Sequence, residues 1–438
     1  MARKAVPLAV SRASGRGKST QSEGPVHVKA AEEMLLQLGE LKGLGLKLGQ
    51  MLSYIDGALP AEAEPAFRRV LSKLQRDAPS LPWSSTQQVL TETLGDWTEH
   101  FATLEEEPFA AASIGQVHRG TLHDGTAVAV KIQYPGIADA MRADLANLDG
   151  AKSFAGPLMA LMGASSNAAF AGNVLAEVRA RMEEELDYER EARMQQRFAD
   201  MFANVPGLVV PKVFVEHSGP RVLTSAFEHG KALDDVTDAP QALRNRWAAT
   251  LAKSASDSLY VHGTFNGDPH PGNYLFRDDG TVVLLDFGCV KEIPAAMAED
   301  MRGYMRAAIR AARTDAAEDW AAFDRALAHA LGLDRGDPDV ATFYRELFLF
   351  MIEPALYDRD FAFTPEWVAQ INDKAVEGKR ALIFGRGMLP RMPKLPPMPA
   401  DYTFINRLQW GFYSVLTRLQ ATINWHALLP ETLRANGS

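Results

Sequence analysis

Two polar motifs set the tightest constraint on this 438-residue chain: GDPHPGN at 267–273 and LLDFG at 284–288. Asp268 and Asn273 stand five positions apart, and Asp286 follows Asn273 by thirteen. The stretch between them, 273–288, alternates apolar and polar residues around Asp279-Gly280, the signature of a β-hairpin. Asp268-Pro269 and Asp279-Gly280 would each pass alone as an ordinary turn. Their order and spacing together single out Asp268, Asn273 and Asp286 as one constellation. Such a set needs a folded scaffold. With 47% hydrophobic and 23% charged residues, the chain can build two or three domain-sized units with a substantial core.

The same kind of pattern recurs upstream. SIGQVHRGTLHDGTAVAVKIQYPG at 113–136 alternates around Asp124-Gly125 and reads as a second hairpin. Residues 209–230 read as two further strands around Ser218-Gly219-Pro220, whereas 137–203 and 241–263 read as helical. Before Pro108 the chain is helical in pattern, with Leu38, Leu41, Leu44, Leu48, Met51, Leu52 and Ile55 on one stripe. Gly43, Gly45 and Gly49 interrupt that stripe at about 1 kcal/mol each against alanine, which points to a close approach. GLGLKLG at 43–49 follows no strand and lacks dinucleotide-fingerprint spacing. Beyond 295 the chain is mostly helical, crossed by the proline-rich LPRMPKLPPMP. The fold class is therefore α+β. Its parts are a flexible basic tail at 1–25, a helical extension at 26–107, a strand-rich lobe with a helical insert at 108–228, and a largely helical lobe at 229–438 with a C-terminal helical region.

Composition removes several classes of function. A net charge of −9 argues against a nucleic-acid-binding surface. Cys289 is the only cysteine, so internal disulfides and cysteine zinc sites are out, and a reducing, cytoplasmic setting is the natural expectation. No apolar run approaches the ~18 residues that cross a bilayer. The basic tail carries Arg3, Lys4, Arg12, Arg16 and Lys18 with no acid before Glu23. It lacks the apolar core of a secretory signal and reads as disordered, with an organelle presequence or an anionic-lipid patch as the sharper alternative.

The chemistry follows from residue types. Asp-x-x-x-x-Asn, a hairpin and then Asp-Phe-Gly is similar to the catalytic loop and metal motif of protein kinases. Phosphoryl transfer rests on positioning and charge stabilisation. Asn273 and Asp286 would supply metal-binding oxygens beside the triphosphate of ATP, and Asp268 would orient the acceptor and take its proton. VAVK ends in Lys131, placed where kinases grip the α and β phosphates. The phosphate loop departs from the glycine-rich pattern. Ala110, Ala111, Ala112 and Ser113 occupy it, and alanine is stiffer than glycine. A strand-rich segment followed by a helical one also suits a bilobal protein-kinase-like fold, although other α+β enzymes share that order.

PFAAASIGQVH, VAVKIQYPGI, ELDYEREA, DPHPGN and DFG together resemble the UbiB/AarF (ADCK-type) family of atypical kinases. GLKLGQMLS followed by LSKLQRDAP resembles that family's KxGQ extension. The resemblance implies that Lys47, with Gln50, crosses the substrate side of the cleft and pairs with an acidic motif, here Glu185 and Asp187. It implies Glu191 as the partner of Lys131, with Glu184 and Glu189 open on spacing alone. On one helix, at about 100° per residue, Glu185 and Glu191 would point about 120° apart and serve different lysines. Taken alone, Glu183 to Glu191 reads as a solvated face and Lys47 as a lysine beside an apolar stripe. Two departures stand out: Gly115 and Gly267 where the family often has alanine, the former expected to loosen the alanine-rich loop.

The leading expectation is an ATP- and Mg2+-dependent ATPase, or a kinase for a small or lipid-like molecule, supporting isoprenoid quinone biosynthesis or lipid homeostasis. Lipid, a quinone precursor and quinone-biosynthesis enzymes are the partners implied, with peripheral contact at the inner face of the membrane left open. One alternative is a small-molecule phosphotransferase of the aminoglycoside or choline kinase type. Another is a catalytically idle, ATP-dependent binding module using segment 26–56 and Trp410, Phe412, Tyr413 and Trp425 as contact surfaces, unless those aromatics are core.

Overall fold

A computed structural model describes residues 82–112, 114–150, 179–180, 182–333, 337–384 and 400–434. Helix α1 (Trp83–Leu94) buries Thr86, Val89 and Leu90 on one face and stops at Gly95, whose φ of 77° suits glycine. It packs on an antiparallel sheet made by β1 (Thr103–Leu104), β2 (Ala110–Ala111), β3 (Gly115–Thr121) and β4 (Ala127–Gln133). Chain then passes through α2 (Ile137–Gly150) and α3 (Tyr188–Phe202). Next, β5 (Leu208–Val209) joins the other lobe, and β6 (Val222–Ala226) returns to complete the order β1-β3-β4-β6, with β2 also on β3. The sheet thus begins with β1, ahead of Pro108. Of the two strands expected in 209–230, β6 forms. The other is reduced to the two residues of β5 and a 3-10 turn at Val215–His217.

The β3–β4 hairpin turns as its sequence dictates. Gly125 takes φ 87° and the Asp124 carboxylate accepts the Thr126 N–H at 2.8 Å. Side chains alternate along β4. Val128, Val130 and Ile132 face a core with Val89, Leu90, Phe101, Leu122, Phe214 and Val222. Lys131 therefore points to the opposite face of the sheet, and register sets that orientation.

The second lobe is built on α4 (Gln241–Asp257), which runs into a π turn at Ser258–His262 and then β7 (Thr264–Asn266). The expected hairpin is β8 (Tyr274–Phe276) and β9 (Val282–Leu284), turned by Gly280 at φ 92°, with β5 parallel to β9. β10 (Val290–Glu292) pairs with β7. Helices α5 (Ala295–Thr314), α6 (Ala317–Ala330) and α7 (Pro338–Leu356) follow, then β11 (Phe361–Ala362), α8 (Pro365–Phe384) and α9 (Ala400–Arg418). β12 (Thr422–Ile423) pairs with β11, and short α10 (Trp425–Leu428) and α11 (Glu431–Arg434) end the described chain. The fold is α+β with two kinase-like lobes. Phe412 and Tyr413 are buried in the second core and Trp425 packs against it, so these three aromatics stabilise the lobe. The side chain of Trp410, and all of 26–56, lie outside the described residues.

Trp247 of α4 is fully buried, donates its indole N–H to the Arg277 carbonyl at 3.0 Å and meets the Phe276 ring edge-on at 5.3 Å. It locks α4 beneath the β8–β9 hairpin. Trp247→Ala is expected to lower stability by about 3–5 kcal/mol, read as a reduced urea midpoint.

Candidate active site

Lys131 leaves β4 and meets Glu191 in the first turn of α3. Its ammonium donates to both carboxylate oxygens, at 2.7 and 2.9 Å. The Asp286 carboxylate lies 3.8 Å away on the other lobe, and the Tyr188 ring sits under the ammonium at 4.9 Å. Burial opposes the charged lysine, but Glu191 and Asp286 outweigh it and hold the ammonium well above the ordinary lysine value. Burial likewise pushes the Glu191 carboxyl up to about 7, against the downward pull of Lys131. The Tyr188 phenol is raised by burial and stays neutral.

The open alternatives for the lysine's partner are resolved by packing. Glu184 faces Lys291 at 3.5 Å and Arg190 at 3.9 Å, and Glu189 is exposed. Glu185 and Glu191 do not share one helix. Residues 182–185 are helical, the chain breaks at Leu186-Asp187, and α3 begins at Tyr188. The angular argument for two separate lysines therefore fails. Both carboxylates act on Lys131, and Glu185 faces the metal motif: a Cβ built on Gly288 would stand 3.6 Å from its Oε1. Asp187 caps α3, accepting the Arg190 N–H at 2.8 Å, with the Arg193 guanidinium 3.8 Å away. Lys47 and Gln50 lie outside the described residues, as does Ser113.

On the second lobe a residue that sequence reasoning passed over joins the two motifs. The side-chain amide of Asn266 donates to the Asp286 carbonyl and its oxygen accepts the Asp268 N–H at 3.0 Å. The Asn273 amide donates to the Asp268 carbonyl at 2.8 Å, and the Leu285 N–H reaches the Asn273 carbonyl at 3.0 Å. Asp268, Asn273 and Asp286 are thereby held in one loop cluster, with Asp286 accepting the Gly288 N–H at 2.9 Å and remaining 35% exposed toward the cleft. Arg190 was also missed. It donates to the Gly288 and Val290 carbonyls, at 3.3 and 2.8 Å, and ties α3 to the chain after Asp-Phe-Gly. Its only signal was its place in ELDYEREA; Asn266 had only its position two residues before Asp268.

The alanine-rich segment is not a free arch. Ala110 and Ala111 form β2, exposed and paired with Val117 and Gln116, and the Ala112 N–H donates to the Gly115 carbonyl at 2.8 Å. Gly115 does not loosen this turn. A Cβ there would lie 2.3 Å from the Ile132 carbonyl oxygen and 3.0 Å from the Tyr188 hydroxyl. At Gly267 a Cβ would meet the Cys289 carbonyl at 3.1 Å, a far milder conflict. Gly115→Ala is therefore expected to destabilise by about 1–3 kcal/mol through overcrowding, measured by thermal unfolding, with Gly267→Ala changing less.

Residues 73–319 match the ABC1 atypical kinase-like domain. The chain is 37% identical over 284 residues to "Atypical kinase COQ8B, mitochondrial" of Rattus norvegicus, covering 64% of this chain and 52% of that protein. It is 31% identical over 258 residues to "Atypical kinase COQ8, mitochondrial" of Saccharomyces cerevisiae, covering 58% and 49%. The chain thus spans about half the length of these curated relatives. A solved structure, the Rv3197–erythromycin complex from Mycobacterium tuberculosis, is similar at 29% identity and a TM-score of 0.64, covering 91% of this chain and 94% of that one. The match takes in Lys131, Glu191 and both second-lobe motifs, and more than half of the sequence with them: the chain belongs to the ABC1 atypical kinase-like domain family.

Proposed function

We propose that the protein is an ATP- and Mg2+-dependent phosphoryl-transfer enzyme that hydrolyses ATP or phosphorylates a small or lipid-like acceptor. The observation that carries this reading is the Lys131–Glu191 pair, its carboxylate buried and its ammonium partly so, placed 3.8 Å from Asp286. An ammonium oriented by one carboxylate and facing a second is suited to hold the α and β phosphates against a metal motif. The donor set fits magnesium, a hard cation that takes few protein ligands and completes its shell with phosphate and water. The Asp286 carboxylate and the Asn273 amide oxygen would hold it, since the Asn273 nitrogen is committed to Asp268. When bound, the cation neutralises charge on the transferring phosphoryl group. Asp268, fixed through Asn266, would orient the acceptor and take its proton. Ala110 to Ser113 would cover the phosphates.

The connection after the metal motif favours a small acceptor. Residues 289–294 alone separate Gly288 from α5, and 290–292 of these are strand β10. That leaves little chain to form a platform for a peptide. Lys47 and Gln50, with Glu185 and Asp187, would narrow the cleft further, as the family resemblance implies. Support of isoprenoid quinone biosynthesis or lipid homeostasis, through lipid, a quinone precursor or quinone-biosynthesis enzymes, rests on that same resemblance. So does action in the cytoplasm with peripheral contact at the inner membrane face. No helix among the described residues is long and apolar enough to cross a membrane.

Lys131→Ala and Asp286→Asn are each expected to weaken MgATP binding at least about tenfold. Asp268→Asn should keep binding while lowering phosphate release by roughly 10²–10⁴-fold. Titration with a fluorescent ATP analogue and a phosphate-release assay separate the two. Equal MgATP affinity in wild type and Lys131→Ala would refute the nucleotide site. Phosphorylation of a soluble amino alcohol or aminoglycoside would instead favour a small-molecule phosphotransferase. Binding without turnover under any lipid condition would favour an idle, ATP-dependent binding module.

A further inference from the structure

Gly411 lies in the middle of α9, a place where glycine ordinarily weakens a helix and alanine strengthens it. Its surroundings explain the exception. A Cβ on Gly411 would fall 2.0 Å from Cγ of Pro269, 2.8 Å from its Cβ and 3.2 Å from its Cδ. Pro269 directly follows Asp268. Its ring is closed onto the main chain, so it cannot swing aside as a flexible side chain does. The next residue of α9, Phe412, meets the ring of Tyr274 at 6.5 Å and 62°, and Tyr274 directly follows Asn273. One turn of α9 therefore touches the catalytic loop at both ends. The helix is itself fixed from behind. The Tyr413 hydroxyl and the Gln409 amide both donate to the Met351 carbonyl of α7, and the Tyr413 ring packs edge-on against Trp367 at 4.9 Å.

We infer that α9 is a brace that sets the height of the catalytic loop, with Gly411 and Phe412 as positioning residues for Asp268 and Asn273. Neither side chain need reach the substrate. Gly411 acts by letting the Pro269 ring seat against the helix backbone, and Phe412 by fixing Tyr274. This lies outside residues 73–319 that match the family domain, and it rests on the phosphoryl-transfer reading only for its effect on turnover. Misplacing a reacting group by about 1 Å lowers a rate on the order of 10²-fold.

The test uses the full chain and Gly411→Ala, with Ser414→Ala, exposed on the same helix, as control. Two readouts are taken: amide hydrogen exchange across 266–276, and phosphate release beside MgATP affinity. The brace predicts faster exchange in 266–276 for Gly411→Ala, with α3 and β4 unchanged. It predicts turnover lowered roughly 10- to 100-fold, MgATP affinity within about threefold, and no change in Ser414→Ala. Adding Pro269→Ala, which removes Cγ and Cδ, should restore part of the turnover lost in Gly411→Ala. Unchanged exchange in Gly411→Ala overturns the brace, whatever the protein does with ATP. So does a uniform loss of affinity, turnover and thermal stability that Pro269→Ala does not relieve. If wild type binds no MgATP, the phosphoryl-transfer reading fails while the exchange result still decides the brace.

Discussion

The Lys131–Glu191 ion pair is the interaction on which the arrangement of the site depends. Removing two charges from water is expensive, and a buried pair is tolerated only with good geometry. Both carboxylate oxygens are used, and Asp286 adds a second negative charge within 3.8 Å. A half-made pair would leave a buried charge unpaired. The position of α3 against β4 is therefore specified by electrostatics, while Phe198 and Phe202 fasten the same helix into the second-lobe core beside Phe287. Lys131 faces α3 because β4 alternates and because its register with β3 is fixed by the Asp124-Gly125 turn.

The same helix also reaches the second lobe. Arg190 binds two carbonyls on either side of Cys289 and Arg197 bonds to Thr264 at 2.8 Å, while Glu184, just ahead of the helix, stands 3.5 Å from Lys291. The two lobes are thus joined at the back of the cleft by charge-assisted hydrogen bonds. Within the second lobe, Asn266 fastens Asp286 to Asp268. Each candidate metal or acceptor group is held by main-chain contacts of its neighbours, which is the preorganisation that electrostatic catalysis needs.

Much of this was legible because it is local. The hairpins at 113–136 and 273–288 declared themselves through Asp-Gly turns and alternation, and the spacing of Asp268, Asn273 and Asp286 needed no tertiary information. Three features were illegible for physical reasons. The break at Leu186-Asp187 lies inside an acidic run that reads as continuous helix, because Asp187 serves as a cap and sequence alone does not show where a helix restarts. Asn266 and Arg190 bond to main-chain carbonyls distant in sequence, and such bonds leave no pattern. Gly115 looked like added freedom. Only the approach of the Ile132 carbonyl shows it as a requirement of close packing. The first of the two strands expected in 209–230 is largely replaced by a 3-10 turn, where Ser218 bonds the Phe214 carbonyl at 2.7 Å and diverts the main chain.

The most direct test of the account is a crystal structure of the full chain with Mg2+ and a non-hydrolysable ATP analogue. The account predicts a magnesium ion about 2.0–2.1 Å from oxygens of both Asn273 and Asp286, with the Lys131 ammonium on the α and β phosphates and its bond to Glu191 retained. A nucleotide bound elsewhere, or a metal held without Asn273 and Asp286, would contradict it.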